Sequence, residues 1–289
     1  MTISFIGLGA MGYPMAGHLA DAHDRLVWNR TAEVAEKHSA EHGSRVAESL
    51  DRCAESEVIL TILPTSDVVD TVVDQLIGKL KKGTLWIDAT SGDPVSSRKT
   101  AGRLAEKDIR FIDAPVTGGV NGAIAGELTV MVGGSSEDFV RAGTILKAFG
   151  SRIVHVGSAG AGHAVKAANN AMLAANMWAA SECLLALRKL GIDLKSALEV
   201  LNSGSGRSFA SEALLPSRIL EDEWPLTFRL SLHEKDIRIA EAMSRSERMS
   251  TPILAMTTQL YAAAAKNLGA DADYVEIARY VARMNGEEW

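Results

Sequence analysis

The sequence is poor in cysteine. Two cysteines, Cys53 and Cys183, occur among its 289 residues, and this number excludes a scaffold held together by many disulfides. Their spacing matches no metal-binding motif, and both lie in stretches with a helical pattern. We therefore expect buried, reduced thiols without a chemical role, and no metal site.

A concentration of basic residues is also missing. The formal net charge is −6, and charges of both signs alternate along the chain. A protein that binds the phosphates of a nucleic acid gathers Lys and Arg on one face. We therefore expect no nucleic-acid partner.

Long apolar runs are absent as well. No stretch approaches the roughly 18 residues of a membrane helix, and no cationic segment precedes an apolar one at the amino terminus. These absences predict a cytoplasmic protein with no membrane partner and no signal peptide. Internal repeats, low-complexity tracts and Pro-rich linkers are lacking too, so a helix is expected to join any two domains.

The first part of the chain has an α/β pattern. Short apolar, β-rich runs alternate with helical stretches up to residue 157. This alternation predicts a doubly wound, mostly parallel sheet covered by helices. The predicted strands are residues 3–8, 25–29, 57–63, 84–89, 110–116, 127–134 and 152–157.

The second part has a helical pattern only. Apolar positions from His163 to Leu190 predict a long helix that ends at Gly191. The further predicted helices are residues 193–202, 207–220, 231–248, 251–268 and 273–284. We therefore predict an α/β domain over 1–160 and an all-α domain over 161–289, joined by the long helix. The apolar faces of this second domain exceed what one small bundle can bury, which predicts a homodimer or homotetramer.

A glycine-rich motif follows the first predicted strand. The stretch FIGLGAMGYPMAGHL, residues 5–19, carries Gly7, Gly9 and Gly12 between a strand and an amphipathic helix. In a Rossmann-type dinucleotide-binding domain such glycines allow the tight turn, the approach of a pyrophosphate and close helix packing. A simple tight turn is the alternative. We favour nucleotide binding, with Leu8, Ala10 and Met11 completing the loop.

The end of the second predicted strand indicates which nucleotide binds. An NAD-binding domain usually carries Asp or Glu there, whereas this chain has Asn29, Arg30 and Thr31. A guanidinium and a hydroxyl suit a 2′-phosphate, which a carboxylate would repel. We therefore predict a preference for NADP(H), with NAD(H) possible. The alternative is that Arg30 is a solvated residue at the start of a helix.

Four motifs together carry a family resemblance. The glycine-rich motif, DAPVTGG (113–119), GSAGAGHAVKAANN (157–170) and HEKDIRIA (233–240) resemble the β-hydroxyacid dehydrogenase family over essentially the whole chain. That family includes 3-hydroxyisobutyrate dehydrogenase, tartronate semialdehyde reductase and glyoxylate/succinic semialdehyde reductases. The segment WNRT is most similar to the NADP-using reductase branch.

Lys166 is the predicted catalytic residue. It lies in the first turns of the long helix, after Gly160 and Gly162, and Asn170 follows one turn later on the same face. Its neighbours are Ala and Val, so desolvation would lower its pKa and make it a usable proton donor or acceptor. A solvated surface lysine is the alternative. The resemblance implies that Lys166 is catalytic and that Asn170 orients the substrate oxygen.

The remaining site residues are predicted from the loop after residue 113 and from the resemblance. The hydroxyl of Thr117 and the N–H groups of Gly118 and Gly119 can bind a carboxylate, although an ordinary turn is the alternative. The resemblance assigns the other positions: substrate contacts to Ser91, Phe228 and Asp236, with Asp236 alternatively anchoring Lys166, and cofactor contacts to Leu63, Pro64, Thr90, Ser91 and Lys235. No proton relay is expected from His163 or His233, because neither has a spaced carboxylate partner in its motif.

These observations predict a hydride-transferring enzyme. We expect it to interconvert a small 3-hydroxy acid and its semialdehyde, like 3-hydroxyisobutyrate dehydrogenase, in a cleft between the domains, with Lys166 as general acid/base. Glyoxylate or succinic semialdehyde reduction is the alternative. The imine reductases resemble this chain less, because they typically carry another residue at the position that matches Lys166. A binding module without catalysis would have lost Lys166, and phosphogluconate dehydrogenases need a longer helical domain.

Overall fold

The computed structural model describes residues 1–19, 24–269 and 271–289, and it divides the chain into two units, Met1–Lys166 and Ala167–Trp289. The predicted boundary at residue 160 precedes this division, which falls inside the long helix. Within the described ranges, no helix combines the length and the apolar character that crossing a membrane requires.

The residues described in the first unit form a nine-stranded sheet. Its strands are β1 (Thr2–Ile6), β2 (Asp24–Trp28), β3 (Arg45–Val46), β4 (Val58–Thr61), β5 (Leu85–Asp88), β6 (Arg110–Asp113), β7 (Val116–Thr117), β8 (Leu128–Gly133) and β9 (Gly150–Gly157). The spatial order is β3-β2-β1-β4-β5-β6-β8-β7, with β9 beside β8. Pairings among β1 to β6 are parallel, whereas β8 runs antiparallel to β6 and β7. The order 3-2-1-4-5-6 is that of a Rossmann-type sheet.

Alternating side chains of the central strands build two cores. Phe5 and Leu60 point to one face of the sheet, while their neighbours Ile6 and Ile59 belong to the cluster on the other face together with Trp86. All residues of β4 and β5 are buried, as expected for parallel strands covered by helices on both sides. The predicted α/β fold class is confirmed.

Three of the six helices described in the first unit begin with a side-chain cap. The six helices are α1 (Gly12–Gly17), α2 (Ala32–His42), α3 (Ser66–Leu76), α4 (Pro94–Ala105), α5 (Gly119–Ala125) and α6 (Ser136–Leu146), and a 3₁₀ turn covers Leu50–Glu55. The side chains of Thr65, Asp93 and Ser135 accept backbone N–H groups at the starts of α3, α4 and α6. The predicted strand 110–116 is split in two because Pro115 separates β6 from β7 and lacks an N–H for the ladder.

The second unit is helical, as predicted. Its elements are the rest of α7 (Ala161–Lys189), α8 (Leu194–Ser203), α9 (Leu215–Ile219), α10 (Leu230–Ser246), α11 (Pro252–Leu268) and α12 (Ile277–Met284). A π-helical turn at Ala210–Leu214 and the short α9 stand where one helix over 207–220 was predicted. Trp178 and Tyr261 lie in its core, with ring centroids 6.0 Å apart.

The two cysteines differ in their surroundings. Cys53 is buried and its thiol is shielded from water, and this burial raises its pKa to about 12. Cys183 lies on α7 and is exposed, so the prediction of a buried thiol is wrong at this position. The prediction failed because most neighbours of Cys183 within α7 are apolar, which indicated a buried helix. Within the described chain, however, one part of the α7 surface is exposed, and this part includes Val165 and Met172.

Candidate active site

Most predicted nucleotide-binding residues follow the carboxyl ends of parallel strands. Gly7 follows β1, Asn29 follows β2, Leu63 follows β4 by two residues, and Thr90 follows β5 by two. The chain order of the strands reverses between β1 and β4, which are neighbours in the sheet. Ligands of open α/β sheets bind at the carboxyl edge beside this switch point.

The three glycines of the first loop have different structural roles. Gly7 has φ +104°, and a Cβ there would lie 2.2 Å from the carbonyl oxygen of Ile62. A Cβ at Gly12 would lie 2.1 Å from the carbonyl oxygen of Gly7. Gly9 is exposed, and a Cβ there would meet nothing within 4 Å. Packing therefore requires Gly7 and Gly12, while the open space beside Gly9 fits the approach of a pyrophosphate.

Asn29 connects the glycine loop to the end of β2. Its Oδ1 accepts the N–H of Leu8 at 3.1 Å, and its Nδ2 donates to the carbonyl oxygen of Thr31 at 3.0 Å. The side chain thus shapes both loops, a role that the sequence did not indicate. Arg30 and Thr31 are exposed and remain available to a 2′-phosphate.

Two further predicted residues contact each other where β4 and β5 end. The N–H of Leu63 donates to Thr90 Oγ1 at 3.0 Å, and the N–H of Thr90 donates to Asp88 Oδ1 at 3.1 Å. Thr90 is fully buried, so its hydroxyl fixes the Leu63 loop. Pro64 is exposed and Ser91 is half-buried.

The predicted carboxylate-binding loop lies between β7 and α5. Thr117 pairs with Thr129 of β8 and is half-buried. Gly118 and Gly119 are exposed and have φ +131° and +65°, conformations that favour glycine. The turn therefore presents backbone rather than side chains at this surface.

The start of α7 is held by a residue to which the sequence alone assigned no role. Asp113, at the end of β6, accepts the N–H of Gly160 at 2.6 Å and the N–H of His163 at 2.8 Å. Burial raises the pKa of this carboxyl group, although it accepts both N–H groups. Lys166 follows His163 by one turn of α7 and is half-buried. The position of Asp113 as the first residue of DAPVTGG was the available signal.

His163 has a carboxylate nearby that comes from outside its motif. Its Nδ1 lies 2.5 Å from Ser97 Oγ, and its Nε2 lies 3.9 Å from Asp88 Oδ2. The imidazole is fully buried. Asp88 belongs to β5 and lies far from the motif in sequence, so motif spacing could not indicate it. The expectation that His163 forms no proton relay stays a prediction.

In the second unit, α7 and α10 bring together predicted substrate and cofactor residues. Asn170 Nδ2 donates to Asp236 Oδ2 at 2.6 Å, and Lys235 Nζ lies 3.0 Å from Asp236 Oδ1. Asn169 Nδ2 donates to Asn170 Oδ1 at 3.1 Å. The Asn170 amide is therefore oriented at both ends. Both Asn170 and Asp236 are buried.

An aromatic and imidazole cluster supports the same helix pair. His233 Nε2 donates to the carbonyl oxygen of Asn170 at 3.0 Å, which ties α10 to α7. The ring of Phe228 lies 5.9 Å from His233 and 5.6 Å from Tyr274, measured between centroids. Asp273 accepts the N–H of Phe228 at 3.0 Å and so fixes its backbone. His233 is thus part of the support of Asn170.

The described residues include no group of three or more His, Cys, Asp or Glu side chains that could hold a metal ion. The groups gathered at the strand ends and on α7 and α10 are instead hydroxyls, amides, backbone N–H groups and lysines. Such groups bind phosphates and carboxylates and can carry a proton.

Comparisons with known proteins cover both units. Residues 2–157 match the family model described as the NAD binding domain of 6-phosphogluconate dehydrogenase. Residues 160–281 match the model described as NAD-binding of NADP-dependent 3-hydroxyisobutyrate dehydrogenase. The 2-(hydroxymethyl)glutarate dehydrogenase of Eubacterium barkeri is 39% identical over 269 residues, which are 90% of this chain and 87% of that protein. The chain belongs to the β-hydroxyacid dehydrogenase family.

Other members of the β-hydroxyacid dehydrogenase family are also similar to this chain over nearly its whole length. The 3-hydroxyisobutyrate dehydrogenase of Pseudomonas aeruginosa is 33% identical over 282 residues, 94% of each chain. A solved structure of the Mycobacterium tuberculosis 3-hydroxyisobutyrate dehydrogenase with L-serine has a TM-score of 0.89 at 30% identity, covering 97% of this chain and 98% of that one. The resemblance stated from the four motifs is confirmed. The chain is a dehydrogenase that acts on CH–OH groups of hydroxy acids, with NAD(P)-binding domains.

Proposed function

We propose that this β-hydroxyacid dehydrogenase oxidises a small 3-hydroxy acid to its semialdehyde with NADP⁺, or catalyses the reverse reduction with NADPH. The observation that carries the proposal is the buried Asn170–Asp236 pair, which holds an oriented amide one turn after Lys166 on α7. An oriented amide beside a lysine can bind a hydroxyl oxygen while the ammonium exchanges its proton.

The proposed roles of the chain follow from this arrangement. The nicotinamide, when bound, supplies the hydride acceptor or donor. Lys166 takes the hydroxyl proton during oxidation and returns it to the oxygen during reduction. Asn170 orients that oxygen, and its own orientation is set by Asp236 and Asn169. The N–H groups of Gly118 and Gly119 bind the substrate carboxylate.

The cofactor preference is proposed on the basis of the β2 end. Asn29 stands where an NAD-binding chain carries an acid, and both ends of its amide are used by the protein. Arg30 and Thr31 are therefore the proposed partners of the 2′-phosphate. Gly9 and the first N–H groups of α1 are the proposed pyrophosphate site.

The substrate class is proposed from the chemistry of the compounds in the relatives' names. 3-Hydroxyisobutyrate, 2-(hydroxymethyl)glutarate and L-serine all contain the unit HOCH₂–CH(R)–COO⁻. They differ in R, which is a methyl group, a propanoate arm or an ammonium group. We propose that the chain acts on this unit, and that R is selected by residues such as Phe228. Glyoxylate and succinic semialdehyde lack the unit and are expected to react poorly.

A substrate panel tests the proposal. Oxidation of the three compounds, and reduction of glyoxylate and succinic semialdehyde, would be measured with both NADP(H) and NAD(H). We expect the best kcat/KM for one of the three HOCH₂–CH(R)–COO⁻ acids with NADP⁺. A higher kcat/KM for glyoxylate or succinic semialdehyde would replace this substrate class by the reductase alternative.

A lysine variant tests the mechanism. Lys166→Ala is expected to lower kcat by roughly 10² to 10⁴, the range for removal of a general acid or base. The affinity for NADPH should stay nearly unchanged. Lys189→Ala is the matched control, because Lys189 lies at the far end of the same helix and pairs with Glu287. If Lys166→Ala kept more than about a third of wild-type kcat, the proton would have another carrier.

A further inference from the structure

The amino-terminal end of α7 is capped from a distant part of the chain. In most helices the residue just before the first turn supplies the cap. Here the carboxylate of Asp113, 47 residues before Gly160, accepts the N–H groups of Gly160 and His163 at 2.6 and 2.8 Å. The end of β6 is thus bonded directly to the first turn of the helix that carries Lys166.

The packing around this carboxylate is tight. A Cβ at Gly162 would lie 2.3 Å from the carbonyl oxygen of Met131 and 2.8 Å from Asp113 Oδ2. A Cβ at Gly133 would lie 2.5 Å from Asp113 Oδ1. Asp113 itself has no exposed surface. Backbone at these two glycines therefore encloses the carboxylate, and the first turn of α7 has little room to move.

A second connection holds the same turn. His163 Nδ1 lies 2.5 Å from Ser97 Oγ of α4, and a Cβ at Gly92 would lie 2.8 Å from the imidazole ring. His163 Nε2 faces Asp88 Oδ2 at 3.9 Å. The first turn of α7 is thus held by β6 through its backbone and by Ser97 of α4 through the buried His163 side chain.

We propose that Asp113 is a positioning residue, which sets the location of Lys166 by fixing the first turn of α7. The inference rests on the proposed function, since it concerns the proton carrier. Lys166 is the sixth residue of α7 and follows His163 by one turn. A helix transmits a displacement of its first turn to the next one, and a misplacement of about 1 Å at a reacting group can cost about 10²-fold in rate. Asp113 touches neither substrate nor cofactor in this proposal.

Replacement of the carboxylate tests the inference. Asp113→Asn keeps the size of the side chain but leaves one oxygen for two N–H donors. We expect kcat to fall about tenfold to a hundredfold, with KM and NADPH affinity within about twofold of wild type. Asp108→Asn is the matched control, because Asp108 precedes β6, is exposed and pairs with Lys82; its kcat should be unchanged. An unchanged kcat in Asp113→Asn would overturn the proposal.

A second variant tests the inference independently of Asp113→Asn. Gly162→Ala should displace the same turn through steric contact with Met131 and lower kcat in the same way. Gly143→Ala is its control, since a Cβ there would meet nothing within 4 Å. Thermal unfolding of each variant would be recorded. Failure of both Asp113→Asn and Gly162→Ala to fold would overturn the proposal in favour of a structural role alone.

A double-mutant cycle shows whether Asp113 acts through Lys166. If it does, Asp113→Asn should lower kcat in the wild-type chain and have little further effect in the Lys166→Ala background. An equal loss in both backgrounds would overturn the positioning role while leaving the proposed function intact. A high kcat in Lys166→Ala alone would instead overturn the proposed role of Lys166 as proton carrier, and the positioning role of Asp113 with it.

Discussion

Alanine substitutions at Gly9 and Gly12 should separate cofactor binding from folding. A Cβ at Gly9 meets nothing within 4 Å, and the backbone there is not in the left-handed region. Gly9→Ala should therefore leave the free energy of unfolding unchanged or raise it by about 0.4 to 1 kcal/mol, because Ala reduces the entropy of the unfolded chain. If a pyrophosphate approaches this backbone, the added methyl group should cost it one charged hydrogen bond, about 1.5 to 3 kcal/mol. This corresponds to a loss of about one to two decades in NADPH affinity.

Gly12→Ala should destabilise the fold as well as weaken NADPH binding. Its Cβ would lie 2.1 Å from the carbonyl oxygen of Gly7 and 2.7 Å from Ile62 Cγ2, so backbone must shift. Such overpacking costs typically about 1 to 3 kcal/mol of stability. NADPH binding should weaken as well, since the displaced atoms belong to the loop. The two alanines are thus expected to give opposite results in unfolding and similar results in binding.

The assay pairs a fluorescence titration with NADPH and urea unfolding of the same preparations. Gly102→Ala is the control, because it lies within α4 and a Cβ there would meet nothing within 4 Å; binding should be unchanged. If Gly9→Ala bound NADPH within about twofold of wild type, the open space beside Gly9 would not be the pyrophosphate site. A destabilised Gly9→Ala variant would contradict the steric argument itself.

Three more predictions concern the cofactor, pH and assembly. Arg30→Ala should weaken NADP⁺ binding by about one to two decades and leave NAD⁺ binding nearly unchanged, and equal wild-type affinities for the two would contradict the preference. Burial, with His42 nearby, lowers the pKa of His38 from 6.5 to about 4. Between these two pH values the unfolded chain therefore binds a proton at His38 that the folded chain does not bind. The free energy of unfolding should fall by up to about 3 kcal/mol as the pH is lowered from 6.5 to 4. Urea unfolding of His38→Gln should lack this part of the slope. Exposed Met172, Ile253 and Met256 support a homo-oligomer formed through residues 161–289, which light scattering at micromolar concentration should detect, with a monomer as the contradicting result.

The fold was predictable where one local signal decides the structure. β1, β4 and β5 are short apolar runs between helical stretches, and the ends of each lie within two residues of the predicted ends. The strand β3 was missed because two residues, Arg45 and Val46, form no pattern and are held by their pairing with β2. The stretch 207–220 was misjudged because a π-helical turn of five residues is too short to change the hydrophobic pattern of the sequence.

The candidate site was predictable as a set of loops and less so as a set of contacts. Glycines are typical of tight turns, so the loops that contain Gly7, Gly12 and Gly118 could be predicted from residue type and spacing. The bonds that orient functional side chains join residues distant in sequence, such as Leu63 with Thr90 and Asn170 with Asp236. The register of the sheet brings Leu63 to Thr90, and the packing of α7 on α10 brings Asn170 to Asp236. A local sequence motif predicts neither the register nor the packing.

The segment DAPVTGG illustrates why one motif can combine two different requirements. Its first residue, Asp113, closes β6 and holds the start of α7, whereas its last three residues turn the chain at the surface before α5. β6 and β7 both pair with β8, so the two ends of the segment are fixed against the same strand. The seven residues thus contain both the side chain that holds the first turn of α7 and the turn that we propose for binding the substrate carboxylate.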